Sequence, residues 1–186
     1  MPRPRDSQRS RLYRAERCLP DSDRNLLHTT AGAQAWLDTE VLAQRWFRAR
    51  WQLPGGVQVR PGRGGASSYG SGGYINLGVR CRNPAIILHE LAHQIIARDT
   101  PTGRQNDFAA HGPEFAAVML YLVGQVMGRE SAEKLRAAYA EYGVKHRTGA
   151  KAVPGPRYQV TTQAATRRTR AARAAHARLD ERRPER

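Results

Sequence analysis

Cysteine is nearly missing from this chain. Cys18 and Cys81 are the only two in 186 residues, and neither belongs to a Cys-x-x-Cys pair. That is too few for a disulfide framework. Long apolar runs are missing as well. The longest, residues 115–123, falls far short of the roughly 18 apolar residues a membrane-spanning helix requires. The opening, MPRPRDSQRSRLYRAER, is basic but carries no apolar stretch of the kind a secretory signal needs. A reducing, cytoplasmic setting is therefore expected. The Gly-rich segment 62–73 lacks the Gly-Lys-Ser/Thr ending of a phosphate-cradling loop, so a nucleotide site is not expected there.

Acidic residues are scarce: 16 Asp+Glu stand against 31 Lys+Arg, a formal charge of +15. The excess is uneven. Residues 145–186 hold 12 Lys+Arg against 3 Asp+Glu, a net +9, while residues 1–144 hold 19 against 13, a net +6. A basic tail of this kind attracts polyanions by neutralising phosphates and releasing their counterions. Non-specific nucleic-acid contact through the tail is one expectation, and a solvated tail without a partner is the plain alternative.

The pattern along the chain divides it into a basic segment (1–30), a domain of α+β class (31–143) and a basic tail (144–186) that is disordered or weakly helical. Residues 6–18 could form a short basic helix. Thr30 is placed to cap a helix over 31–51, in which Trp36, Leu37, Leu42, Trp46 and Phe47 recur at near-helical spacing. Its tryptophans read as core rather than as a stacking platform. Residues 57–60 and 74–79 read as strands, with the Gly/Ser-rich segment between them as a loop or a loose hairpin connection. Asn83-Pro84 opens a helix running to about Arg98, since an N-cap followed by proline suits the first turn. Gly112-Pro113 starts another helix to about Gly128, and Ser131 could cap a last one.

The chemistry is concentrated in AIILHELAHQIIARD, residues 85–99. His89 and His93 lie four apart, which on a helix sets both imidazoles on one face, able to share one metal. Glu90 is next to the first of them and can reach a water on that metal. The surrounding Ile86, Ile87, Leu91, Ala92 and Ile95 make this a core helix. Two histidines and a glutamate in such a helix are costly to bury without a purpose. Two imidazoles do not complete a zinc site, and three residues could supply the third ligand. Asp99 lies ten after His89, but the glycine that the corresponding extended motif uses for its sharp turn is here Ile96. Glu114 lies 21 after His93 and His111 lies 18 after it, both within reach of a loop folding back. His28, His146 and His176 lie in polar surroundings and read as surface residues.

His89-Glu90-Leu91-Ala92-His93, followed after a polar loop by His111-Gly112-Pro113-Glu114-Phe115, resembles the SprT-like zinc metallopeptidase domain, the class that includes Spartan. The resemblance covers about residues 36–143, and the two histidine motifs are its diagnostic part. It implies a zincin-like fold, with the HExxH helix packed with other helices against a small β-sheet. It implies one zinc ion per chain and His111 as the third ligand, with Glu114 as the alternative. Tyr74-Ile75-Asn76-Leu77-Gly78-Val79 is similar to the edge strand of such peptidases, which could pair with an extended peptide. The whole chain, including Arg5-Asp6-Ser7-Gln8-Arg9-Ser10, is also similar to small metallohydrolases of high-GC bacteria and their phages. The Cys-rich zinc ribbon that follows the peptidase domain in many relatives is absent, because no cysteine follows Cys81.

The expectation is a zinc-dependent metallopeptidase or metallohydrolase acting on a peptide or protein. A zinc-activated water would attack, and Glu90 would be the general base. A donor to the substrate carbonyl is needed as well; Tyr69, Tyr74 and Tyr121 have suitable chemistry. The alternative is a DNA-associated binding protein whose zinc site is structural or inert.

Overall fold

The computed structural model describes residues 6–20, 26–51, 53, 56–63, 67–70, 73–98 and 108–148. Asp99, His176 and the basic tail beyond residue 148 lie outside them. The described chain is α+β: helices α1 (Arg9–Glu16), α2 (Thr30–Leu37), α3 (Arg45–Arg48), α4 (Pro84–Arg98), α5 (Pro113–Val126) and α6 (Arg129–Glu141), with strands β1 (Gln58–Pro61), β2 (Ser67–Gly70) and β3 (Tyr74–Leu77).

Helix α4 lies at the centre. Its start matches the sequence expectation: the Asn83 side-chain oxygen accepts from the Ile86 amide at 2.9 Å, satisfying a first-turn donor the helix cannot satisfy itself. Residues 87–96 are buried without interruption, so α4 is enclosed on all sides rather than amphipathic. Helix α5 packs along it, α6 packs on α5, and β2 and β3 lie against α4 on the sheet side. Gln94, itself buried, donates to the Tyr74 carbonyl at 3.0 Å and ties α4 to β3.

The long helix expected over 31–51 is broken. Thr29, not Thr30, caps α2 by accepting from the Gly32 amide at 2.9 Å, because Thr29 is the last extended residue before the helix. After Leu37 the chain widens into one π-helical turn, Asp38–Leu42. The Ala43 amide there reaches back five residues to the Asp38 carbonyl at 2.8 Å. Gln44 is extended, at φ −68° and ψ 138°, and its side-chain amide donates to the Thr39 carbonyl at 2.7 Å. The break turns Phe47 and Trp51 inward; both are buried, with ring centroids 5.1 Å apart. Trp51 stands edge-on to Tyr121 of α5 at 5.5 Å. Their placement agrees with a core role.

The sheet departs from expectation in two ways. Its order is β1-β3-β2, with β1 parallel and β2 antiparallel to β3. The Gly/Ser-rich loop therefore contains a strand, β2, that its low β-propensity concealed. The stretch Tyr74-Ile75-Asn76-Leu77, expected at an edge, is instead the central strand. Ile75 and Leu77 point into the core and are fully buried, the period-2 alternation of a strand with one face inward. The outer side of β1 is met by Gln34 of α2, whose side chain accepts from the Val59 amide at 2.6 Å and donates to the Val57 carbonyl at 3.2 Å.

Helix α6 begins at Arg129 rather than at Ser131. Gly128 takes φ +88° ahead of it, a backbone conformation that favours glycine. Ser131 sits within the first turn, its hydroxyl donating to the Met127 carbonyl at 3.0 Å. Helix α1 packs against α6, with Leu12 and Ala15 fully buried. Gln8 and Lys145 join the two ends of the described chain by a pair of bonds. The Gln8 amide nitrogen donates to the Lys145 carbonyl at 3.0 Å, and the Lys145 amide donates to the Gln8 side-chain oxygen at 2.9 Å. No described helix is long and apolar enough to cross a membrane.

Candidate metal centre

His89 and His93 stand one turn apart on α4, and their ring centroids are 4.9 Å from each other. His111 arrives from the turn before α5, with its ring 5.4 Å from His89 and 4.7 Å from His93. One nitrogen from each of the three lies within 4.8 Å of the others. The turn that delivers His111 depends on Gly112. A Cβ there would stand 3.1 Å from the Ala109 carbonyl oxygen and 3.2 Å from a Glu114 carboxylate oxygen, tighter than ordinary contact. Phe115, fully buried, forms the floor, its ring 4.9, 4.5 and 5.2 Å from His89, His93 and His111.

The outward nitrogens of two imidazoles are held by carboxylates. His89 Nδ1 bonds Glu16 Oε2 at 2.9 Å, and His111 Nδ1 bonds Asp6 Oδ2 at 2.8 Å. A carboxylate facing Nδ1 makes that nitrogen the donor and leaves Nε2 with a lone pair. His111 Nε2 is buried and has no hydrogen-bond partner among the described residues. A buried nitrogen left bare costs free energy unless something coordinates it. The three imidazoles, their carboxylate backing and this unmet lone pair fit a metal ion.

Protonation states agree with that fit. Burial, with the neighbouring His89 and His111, drives His93 down to about 2, so it remains neutral. Burial likewise lowers His111, against the opposing pull of the Asp6 hydrogen bond. Burial also works against a charged His89, but the charge and hydrogen bond of Glu16 outweigh it, and its pKa is raised. Of the three imidazoles, His89 is the one whose surroundings favour the protonated form, against which a metal would compete.

Glu90 is buried at the next position of the same helical turn, and its charge is felt by His89 and by Tyr13. Glu114, the alternative third ligand, is not part of the cluster. Its Oε1 accepts from Arg147 Nε at 2.7 Å and pairs with Nη2 at 2.6 Å. It lies in the first turn of α5, where a negative charge is favoured by the helix dipole. His28 is exposed and His146 half-buried, both away from the cluster. Tyr74 lies under Arg60, whose guanidinium carbon is 4.1 Å from the ring centroid. Tyr121 belongs to the Trp46–Trp51 cluster. The Tyr69 side chain lies outside what the structure describes.

Three residues at the centre were not picked out from sequence: Asp6, Tyr13 and Glu16. The Tyr13 ring is 5.3 Å from that of His89 and 5.2 Å from that of His111. Arg9, Tyr13 and Glu16 recur at spacings of four and three, one stripe of α1, while Leu12, Ala15 and Leu19 form the buried stripe. That amphipathic pattern is visible in the sequence; its pairing with histidines 73 and 105 residues away is not.

No protein-family model matches the chain, and no curated protein or solved structure matches it either.

Proposed function

We propose that this protein is a zinc-dependent metallopeptidase of zincin-like, SprT-like type, acting on a peptide or protein substrate in the cytoplasm. The observation that carries the reading is the convergence of three buried imidazoles beside Glu90. Three neutral nitrogen ligands with no fourth protein ligand among the described residues fit a catalytic zinc site, since structural zinc sites are usually closed by four ligands that include cysteine. Zinc held there would lower the pKa of a water and polarise a carbonyl. His89, His93 and His111 would hold the ion, and Glu16 and Asp6 would fix the tautomers of two of them. Glu90 would take the proton from the attacking water and pass it to the departing amine. Strand β2, the outer strand against α4, offers a backbone edge to an extended substrate in place of β3.

Substitution Glu90→Gln tests the reading. The expected outcome is retention of about one zinc per chain with loss of casein hydrolysis, and His111→Ala is expected to release most of the metal while Glu114→Ala keeps it. Full hydrolysis by Glu90→Gln, or a site emptied by Glu114→Ala and not by His111→Ala, would overturn it. The alternative of a DNA-associated binder with an inert zinc site draws on the basic composition. It requires DNA binding unaffected by Glu90→Gln and no hydrolysis by the unaltered protein.

A further inference from the structure

The reaction needs a donor for the oxygen that becomes negative when a carbonyl is attacked. The tyrosines expected to serve are engaged elsewhere or lie outside the described side chains. One ring at the centre remains. The three imidazoles and Phe115 are buried, whereas Tyr13 is 39% exposed and touches both His89 and His111. It is at once against the ligands and open to whatever enters from solvent. One turn earlier on the same face stands Arg9, exposed, its guanidinium carbon 5.4 Å from the Tyr13 ring centroid.

We propose that Tyr13 is a catalytic residue, with Arg9 beside it, and that the two form the anion-stabilising wall of the cleft. The inference rests on the peptidase reading for its reaction, though not for the binding of an anion. In the attack, the water oxygen bonds to the carbonyl carbon and its proton passes to Glu90. The carbon–oxygen π pair becomes the oxyanion that the Tyr13 hydroxyl donates to. As the carbon–nitrogen bond breaks, Glu90 returns the proton to the amine and the oxyanion recloses to a carbonyl. Tyr13 gives up no proton in this cycle. Arg9 holds the phenol in place and adds fixed positive charge. Helix α1 is immobilised for the task because Asp6 and Glu16, on either side of Tyr13, are bonded to the imidazoles.

Binding of a dialanine phosphonate, a stable tetrahedral anion, to the cobalt-substituted full-length protein tests this through the visible spectrum of the metal. Tyr13→Phe is expected to weaken the phosphonate at least 10-fold and to lower kcat on casein about 100-fold, with KM and metal content unchanged. Arg9→Gln should weaken the phosphonate too, and Arg9→Lys should restore much of it. Unaltered phosphonate affinity and kcat in Tyr13→Phe overturn the proposal. So does loss of metal from Tyr13→Phe, which would make the ring a scaffold only, and so does a parent protein that binds no phosphonate. Failure of the peptidase reading looks different: no casein hydrolysis by the parent protein, while phosphonate binding still depends on Tyr13.

Discussion

Asp6 and Glu16 stand behind the three-histidine cluster, each bonded to the Nδ1 of one imidazole. Each carboxylate sets which nitrogen of its histidine carries the proton, and such partners are typically worth about 10–100-fold in metal affinity. Glu16→Gln and Asp6→Asn are each expected to weaken zinc by about that factor, measured by competition with a chromophoric chelator, with the fold intact by circular dichroism. A second residue makes a prediction in pH. Burial raises the Tyr139 phenol well above its usual 10.0, and its hydroxyl has no partner among the described residues. The folded state therefore keeps the proton that the unfolded chain gives up at about pH 10. Stability should be level below that pH and fall as pH climbs above it. In Tyr139→Phe the fall attributable to this group disappears, and below pH 10 the variant should equal or exceed the parent in urea denaturation, since an unpaired buried hydroxyl costs about 1–3 kcal/mol. At this scale the sequence was legible where chemistry is local. Spacing marked His89, Glu90 and His93, and the His-Gly-Pro-Glu-Phe motif marked His111. Asp6 and Glu16 were not legible, because nothing near them in the chain hints at an imidazole.

Among the elements, α1 bears more on the site than its eight residues suggest. An isolated helix of that length is unstable in water, so packing must hold it. Leu12 and Ala15 supply that packing against α6, and the Gln8–Lys145 pair of bonds fixes its start. Leu12→Ala should therefore cost about 2–5 kcal/mol in thermal or urea unfolding, and should loosen zinc as well, since the helix carries Glu16 and Asp6 lies just ahead of its start. Loss of stability with unchanged zinc affinity would separate the helix from the centre. The other elements show where pattern reading stops. The near-helical spacing of apolar residues over 31–51 gave no sign of the π-helical turn at Asp38–Leu42 or of the extended Gln44, since a periodicity count registers apolar positions and not the backbone between them. Strand β2 was hidden by Ser67, Ser68 and Gly70, residues that pairing with β3, not propensity, holds extended.

On the scale of the whole molecule, the charge is uneven. The described residues include the three-histidine cluster, and most of the +15 lies in residues 145–186. If the basic tail contacts nucleic acid, deleting residues 157–186 should weaken DNA binding and flatten its salt dependence, read by fluorescence anisotropy across a salt series. Unchanged binding would move the contact onto the domain. The α+β class was legible from the order of apolar patterns, whereas the parallel–antiparallel sheet was not, since register depends on partners far along the chain. The same distance has a temporal side. A ribosome delivers α1 first, about 5–20 residues each second, and α1 must then wait for α4 and for the turn at His111. The first carboxylates to be synthesised are the last to find their imidazoles. Until residue 111 is out of the ribosome the nascent chain has two of the three clustered histidines, so the cluster cannot assemble before synthesis has reached the start of α5.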